Sequence, residues 1–207
     1  EMFRSSINLR LRSDVPIGSY LSGGLDSTIL TYLLNPDYTY TVGFEELNEF
    51  KWAKLASSKL SSIHNELLID VDDFLDITKK ILETRLEPLS VPNEVLIYKM
   101  TQQVKKKNTV VISGEGADEL FWGYDRIFKW AHNLERPFKI SEFDEYYCYG
   151  SHKDDEVIDF ALEKVKGTSA LEKIAYYFQT IHLEGLLRRV DNSTMMCSVE
   201  ARVPFVD

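Results

Sequence analysis

The chain has 207 residues, which is enough for one domain with a sizeable hydrophobic core. Its hydrophobic content of 44% and charged content of 28% are ordinary for a globular protein. No apolar stretch approaches the roughly 20 residues that span a bilayer. A net charge of −9 argues against nucleic-acid binding, because phosphate backbones are bound by clustered Lys and Arg side chains. We therefore expect neither a membrane nor a nucleic acid as a partner.

The two cysteines, Cys148 and Cys197, are solitary and form no ligand cluster with the four scattered histidines. A protein zinc site is therefore not expected. Unpaired cysteines are typical of a reducing compartment, so we predict a cytoplasmic location.

Strand-like and helix-like segments alternate over the first two-thirds of the chain. The predicted strands span residues 17–21, 38–44, 65–71 and 108–114. The predicted helices span residues 25–34, 48–60, 72–86, 93–107 and 115–126. This alternation predicts an α/β fold in three layers, with a parallel sheet, right-handed crossovers and helices on both faces.

The pattern changes after residue 126, where only helix-like segments follow and none is typical of a strand. Helices are predicted over residues 144–150, 154–167 and 168–190. We therefore expect an α/β core over residues 1–126 and a helical elaboration of the same domain over residues 127–207. The first residue is Glu1 and the last motif stops abruptly, so we expect this segment to come from a longer chain.

The motif SGGLDS follows the first predicted strand and opens the first predicted helix. Gly23 and Gly24 let the backbone approach an anion closely, and amides at a helix N-terminus attract negative charge. Ser22 and Ser27 can donate hydrogen bonds to phosphate oxygens. Asp26 would be repelled by phosphate unless a cation lay between them, which indicates Mg²⁺. Because no GxxxxGK[ST] pattern is present, this is not a Walker A loop.

A second glycine turn, SGEGADE, follows the fourth predicted strand and repeats this logic. Ser113 and Gly114 begin the turn, and Asp118 is a candidate second carboxylate for the metal. Glu115 lies between two glycines. It is either an ordinary surface residue or a group aimed into the site to position substrate or move a proton. Since ligands collect at the carboxyl edge of parallel strands, both turns are expected at one site.

Four collinear motifs resemble one known family: LSGGLDS, VGF, VVISGEGADELFWGY and SVEARVPFVD. Together they are similar to the synthetase domain of glutamine-hydrolysing asparagine synthetases. That domain belongs to the PP-loop ATP pyrophosphatases, also called adenine nucleotide alpha hydrolases. The resemblance covers nearly the whole chain, and four motifs in order are far more specific than one.

The resemblance implies a reaction in two steps. The β-carboxylate of aspartate attacks the α-phosphate of ATP, giving β-aspartyl-AMP and pyrophosphate, and ammonia then displaces AMP to give asparagine. It also implies a role for each matching residue. The implied set is a pyrophosphate cradle of Ser22, Gly23, Gly24, Asp26 and Ser27, adenosine contacts at Leu21, Val42, Ser113 and Gly114, Mg²⁺ ligands Asp26 and Asp118, and Glu115 in acyl-adenylate formation.

Some features depart from the family pattern. The glutaminase activity of the family needs a preceding domain with an N-terminal cysteine, so we expect this segment to use free ammonia or ammonia from a partner. Trp122 stands where relatives have a glycine in FGGY, and Leu86 stands where relatives often have an acid. Arg202, in EARVPF, is left open between a structural and a functional role.

Two other functions remain open. A related enzyme could adenylate another small carboxylate, as in polysaccharide, peptide or β-lactam biosynthesis, although β-lactam-forming relatives tend to carry tyrosine where this chain has Glu115. A nucleotide-binding module without turnover would keep the glycines and lose the acids, whereas Asp26, Glu115 and Asp118 are all present.

Overall fold

The computed structural model describes residues 1–136, 142, 160 and 163–206. These residues form two compact units, one of Glu1–Glu115 with Leu187–Asp207, and one of Gly116–Leu186. Compactness alone does not test the domain boundary expected at residue 126, and that boundary stays a prediction.

The first unit is built on a parallel sheet of five strands in the order β3-β2-β1-β4-β5. The strands are β1 (Ile17–Tyr20), β2 (Tyr38–Gly43), β3 (Ile63–Leu68), β4 (Val110–Ile112) and β5 (Glu200–Arg202). Strand β1 is paired in parallel on both sides, with Gly18 opposite Tyr38 of β2 and opposite Val111 of β4. The predicted α/β fold class with a parallel sheet is confirmed.

Five helices belong wholly to the first unit. They are α1 (Met2–Arg10), α2 (Leu25–Leu34), α3 (Phe50–Ser57), α4 (Val71–Arg85) and α5 (Asn93–Val104). Helix α2 has the predicted bounds and ends at Asn35, whose left-handed φ of 45° turns the chain towards β2. Helix α4 begins at Asp70, whose carboxylate accepts a hydrogen bond from the Asp73 amide at 2.7 Å.

The second unit, in the described residues, consists of helices. They are α6 (Ala117–Phe121), α7 (Asp125–His132), α8 (Ala170–Tyr177), a π-helical turn (Phe178–His182) and the start of α9 (Leu183–Met195). Its core contains Ile127 and Phe128 of α7 packed with Ile174 of α8. None of the helices that the structure describes is both long and apolar enough to cross a membrane.

Helices cover both faces of the sheet, as the sequence predicts. Successive residues of a strand point to opposite faces, and β4 shows this with two fully buried neighbours. Val111 packs in one cluster with Met100 of α5 and Val190 of α9, whereas Ile112 packs in another with Leu30 of α2. The apolar run of β4 is therefore buried on both sides, which is typical of a central parallel strand.

The expectation that no strand follows residue 126 is wrong. Glu200–Arg202 forms β5 and pairs in parallel with β4, with Ile112 opposite Arg202. Arg202 donates hydrogen bonds to the carbonyl oxygens of Arg10 at 2.6 Å and Arg12 at 2.9 Å, which ties this strand to the end of α1. The helix predicted over residues 144–150 lies outside the described residues, as does most of the one over 154–167.

A buried acid organises the loop between α4 and α5. Glu94 is 0% exposed and accepts hydrogen bonds from the Ser90 amide at 2.7 Å and the Ser90 hydroxyl at 2.6 Å. Arg85 at the end of α4 forms an ion pair with Glu94 and a second with Glu87, which is 52% exposed. Burial raises the pKa of Glu94, but the bonds from Ser90 and Arg85 outweigh it and hold the pKa below its usual value.

We expect Glu94→Gln to lower the free energy of unfolding by about 3 kcal/mol, because it removes the buried carboxylate that accepts a charge-assisted hydrogen bond from Arg85 and bonds from Ser90. Among the described residues, Arg85 then keeps only its exposed partner Glu87. Since the folded-state pKa of Glu94 is lowered, its stabilisation is present above the unfolded-state pKa and is lost as the pH falls through the folded-state pKa. The variant should lack this part of the acid dependence. Urea unfolding at a series of pH values measures both effects.

The matched control is Glu87→Gln, which removes the exposed partner of the same arginine. An exposed ion pair contributes little, so its loss should cost less than about 1 kcal/mol. Equal destabilisation by the two substitutions would contradict the role assigned to Glu94.

Candidate functional site

The two glycine turns follow adjacent strands of the sheet. From β1 the chain proceeds to β2 and β3 on one side, and it returns to β4 and β5 on the other. The gap between the carboxyl ends of β1 and β4 is therefore a topological switch point, where open parallel sheets bind ligands. Leu21 directly after β1 donates its amide to Tyr40 at 2.9 Å, and Ser113 directly after β4 donates its amide to Arg202 at 2.9 Å. These bonds fix where each turn begins.

The turns contact each other across this gap. A Cβ atom added to Gly114 would lie 3.5 Å from the backbone nitrogen of Ser27, which is van der Waals distance. The structure thus brings together the residues of SGGLDS and the first two residues of SGEGADE. This part of the predicted arrangement is found in the coordinates, whereas the ligand that each residue holds is not tested by them.

Three consecutive amides of the first turn point at oxygen atoms. Ser22 donates its amide to the Ser27 hydroxyl at 3.2 Å, Gly23 to the Glu49 carboxylate at 3.1 Å, and Gly24 to the Ser22 hydroxyl at 3.1 Å. The two serine hydroxyls also bond each other at 2.7 Å. Successive backbone N–H groups of a turn are donors that an anion can also use.

Asp26 lies in the first turn of α2, beside these amides. No residue that the structure describes donates a hydrogen bond to its carboxylate. Hard cations prefer carboxylate and phosphate oxygens, so this side chain fits the predicted Mg²⁺. Within the described part of the chain, no three His, Cys, Asp or Glu side chains form a metal cluster. Phosphate and water oxygens would therefore have to supply most of the coordination.

A small cavity adjoins the first turn at the ends of β1 and β2. Its volume is about 140 Å³, and its lining includes three of the predicted adenosine or cradle residues, Leu21, Ser22 and Val42. The Thr41 hydroxyl donates to the Leu21 carbonyl and holds the two strand ends together beside it. Glu49 also lines the cavity, and the sequence analysis did not single it out.

Glu115 forms an ion pair with Arg189 of α9. The Arg189 Nη2 atom lies 2.9 Å from the Glu115 Oε1 atom. The arginine is only 9% exposed and the glutamate 23%, so the carboxylate is not a freely solvated turn residue. The Arg189 Nε atom is buried and has no hydrogen-bond partner among the described residues. Sequence reasoning missed Arg189 because its partner lies 74 residues earlier in the chain.

The acids after Glu115 belong to the second unit and diverge from each other. Gly116 begins α6 with a φ of 91°, a conformation that glycine adopts readily. Asp118 is exposed and lies over Gly123, whose amide donates to the Asp118 carbonyl at 2.9 Å. Glu119 is buried and accepts a hydrogen bond from Tyr124. The pairing of Asp118 with Asp26 on one metal stays a prediction.

Trp122 adopts a left-handed backbone with a φ of 62°. This accounts for the glycine that relatives have here, because a side chain is strained in this conformation. The indole ring stacks on Phe128 with 5.7 Å between ring centroids and 14° between their planes. The side chain therefore packs within the second unit.

An α/β fold with two glycine turns at its switch point defines a class of proteins that bind an anionic ligand there. Comparison with known proteins identifies the family. The chain matches the asparagine synthase family over residues 1–207, and it therefore belongs to that family. The predicted resemblance is confirmed.

Two curated relatives come from Bacillus subtilis (strain 168). The chain is 36% identical to asparagine synthetase (glutamine-hydrolyzing) 1 over 126 residues, which cover 58% of this chain and 20% of the relative. It is 24% identical to asparagine synthetase (glutamine-hydrolyzing) 3 over 244 residues, which cover 100% of this chain and 40% of the relative. The chain thus spans well under half the length of these relatives.

A solved structure was also found, described as a predicted subunit of a tRNA methyltransferase from Methanocaldococcus jannaschii DSM. It matches with a TM-score of 0.36 and 13% identity, over 73% of this chain and 76% of that chain. A likeness at this level carries no argument about fold or function here.

Gly23 is where helix α3 meets the first turn. A Cβ atom at this position would lie 2.6 Å from the Trp52 Cβ and 3.1 Å from the Glu49 Cβ, so alanine would push α3 away. We expect Gly23→Ala to lower the free energy of unfolding by about 1–3 kcal/mol, as overpacking does. Denaturant unfolding measures the loss, and a shift in tryptophan emission is expected because Trp52 borders the turn.

Gly24→Ala is the control one residue later. Gly24 has an extended backbone with a φ of −76°, and an added Cβ would meet only the flexible Ser22 hydroxyl at 3.2 Å. Because Gly24 is the N-cap of α2, where alanine is less favourable than glycine, the substitution should cost about 1 kcal/mol or less. If both alanine variants were equally stable, close packing at Gly23 would not explain the glycine.

Proposed function

We propose that this chain is the synthetase part of an ATP-dependent amide ligase that converts aspartate into asparagine. The observation that carries the proposal is the meeting of the two glycine turns at the switch point of a chain in the asparagine synthase family. Both an anion-binding backbone and an ion-paired carboxylate, Glu115, lie on these turns. Activation of a carboxylic acid by ATP needs both kinds of group.

ATP would bind with its β- and γ-phosphates on the turn of Ser22, Gly23, Gly24 and Ser27. A phosphate bound to the amides of Ser22 and Gly24 would replace the two serine hydroxyls that accept their hydrogen bonds in this structure. The cavity beside the turn suits the nucleoside, with Leu21 and Val42 on its walls. Ser113 and Gly114 follow β4 on the other side of the gap, from where they would also contact the adenosine.

Mg²⁺ would be held by Asp26 and by phosphate oxygens, with Asp118 as the further predicted ligand. When bound, this cation supplies positive charge that offsets repulsion between the triphosphate and the acidic residues. The other contributions come from the chain itself, through the backbone amides of the first turn and the cation of Arg189.

The reaction would occur in two displacements. A β-carboxylate oxygen of aspartate forms a bond to the α-phosphorus as the bond to the pyrophosphate oxygen breaks. Ammonia then bonds to the acyl carbon as AMP leaves, and the nitrogen must lose one proton. Glu115, which the family resemblance implies in acyl-adenylate formation, would help to position the reacting groups, since Arg189 holds its carboxylate at 2.9 Å.

Ammonia would come from solution or from a glutaminase domain, as the names of the relatives indicate for those proteins. Aspartate is the proposed carboxylate. The cytoplasmic location and the absence of a nucleic-acid partner remain predictions from composition.

The direct test is product analysis with ATP, Mg²⁺, ammonia and a panel of carboxylates, on this chain and on the natural full-length protein. We expect AMP and pyrophosphate in equal amounts, formed only when aspartate is present. Product formation with another acid would reassign the substrate within the same chemistry. ADP and phosphate in place of AMP and pyrophosphate would exclude the acyl-adenylate route.

A second test concerns Glu115 and its arginine. We expect Glu115→Gln to lower kcat for pyrophosphate release by about 10²-fold or more, because the carboxylate that positions the reacting groups for acyl-adenylate formation is lost. Arg189→Gln should lower kcat by about 10²-fold through misplacement of Glu115, with little change in the KM for ATP. Arg189→Lys should recover part of the loss, since it restores the cation without the planar geometry.

The matched control is Arg188→Gln, because Arg188 is the exposed neighbour of Arg189 on the same helix. Circular dichroism of each variant checks that α9 stays folded. A fall in kcat of equal size in the Arg188 and Arg189 variants would show that general charge, rather than the pair with Glu115, governs the rate.

A further inference from the structure

Glu49 is an acid in an unexpected place. It lies just before α3, where an acidic side chain ordinarily caps its own helix, yet it makes no such capping bond. Its Oε2 atom instead accepts the amide of Gly23 at 3.1 Å, and its side chain lines the cavity with Leu21 and Val42. A carboxylate is therefore built into the wall of the site proposed for the nucleotide.

The position of Glu49 is fixed by its surroundings. The Asn48 side chain donates to the carbonyl oxygens of Phe44 at 2.7 Å and Glu45 at 2.9 Å, which closes the loop after β2. On its other side Glu49 packs against Gly23, which leaves no room for a Cβ atom between them. The loop thus delivers this carboxylate to one place at the end of β2.

Glu49 is exposed to solvent, and none of the described Lys, Arg or His residues forms an ion pair with it. Oε2 is taken by Gly23, and Oε1 has no donor among the described residues. An ionised carboxylate accepts hydrogen bonds and donates none, so the complementary ligand group is a hydroxyl or amine donor. A phosphate group, which accepts hydrogen bonds and is negatively charged, does not complement this carboxylate.

We propose that Glu49 recognises the ribose of the bound nucleotide by accepting hydrogen bonds from its 2′- and 3′-hydroxyls. This inference rests on the proposed function, since it assumes that ATP enters the site. With phosphates on the amides of Ser22 and Gly24 and the base in the cavity, the sugar between them would pass Glu49. In dinucleotide-binding Rossmann folds, an acid about 20 residues after the glycine turn binds the ribose 2′-hydroxyl. Glu49 follows Gly23 by 26 residues.

The same contact would also be expected if Glu49 served as a substitute for phosphate at the Gly23 amide. In that case Glu49 would occupy the Gly23 amide only until phosphate displaced it, and it would oppose nucleotide binding. The two roles predict opposite effects when the charge is removed. Loss of a ribose contact weakens ATP selectively, whereas loss of a competitor strengthens every nucleotide equally.

The experiment is calorimetric binding of ATP, 2′-deoxy-ATP and 3′-deoxy-ATP with Mg²⁺ to the wild-type chain, Glu49→Gln and Glu49→Ala. Hydrogen bonds to charged groups contribute enough that we expect the wild type to prefer ATP about tenfold or more over at least one deoxynucleotide. The preference should fall to about one in Glu49→Ala and to an intermediate value in Glu49→Gln. Glu46→Gln, which removes an exposed acid from the same loop, should retain the wild-type preference.

The outcomes separate the inference from the function on which it rests. Tighter binding of all three nucleotides by Glu49→Ala would identify a competing anion and overturn the ribose contact. An unchanged preference for ATP in that variant would overturn it as well. Failure of the wild-type chain to bind any nucleotide would instead count against the proposed function. Circular dichroism confirms that each variant is folded.

Discussion

Strand β1 is hydrogen-bonded in parallel on both sides, and this pairing determines where the functional groups lie. Because β2 and β4 flank it, the turns that leave β1 and β4 emerge next to each other, although they lie far apart in the sequence. The contact between Gly114 and Ser27 follows from that register. A slip of one residue in either pairing would turn the strand faces over and separate the two turns.

The proposed anionic ligand would be bound by an acidic chain through local rather than overall charge. The net charge of −9 repels phosphate at long range, but salt screens that repulsion beyond about 10 Å. Close to the site the relevant groups are the amides of the first turn, the dipole of α2 and the buried cation of Arg189. Composition argues against nucleic acid as a partner, but it says little about a small phosphate ligand in one cleft.

Patterns local in sequence predicted most of the fold. The bounds of α2 and the position of β4 follow from a glycine turn and an apolar run. Strand β5 was missed because two of its three residues are charged, and its pairing comes from β4 rather than from its own sequence. Likewise, nothing near Arg189 indicates a contact with Glu115, and nothing near Glu49 indicates a contact with Gly23. Such contacts depend on packing between distant segments.

The hydrogen bonds of the first turn also restrict how a nucleotide can enter. The amides of Ser22 and Gly24 are held by neutral hydroxyls, and the amide of Gly23 by an ionised carboxylate. A hydrogen bond to a charged group contributes about 1.5–3 kcal/mol, against about 0.5–1.5 kcal/mol for a neutral one. Phosphate would therefore gain more by replacing the hydroxyls than by replacing Glu49, and a cation such as the proposed Mg²⁺ would have to offset the repulsion between phosphate and the Glu49 carboxylate. The arrangement favours a ligand that takes the two outer amides and leaves the carboxylate in place, facing a hydroxyl donor.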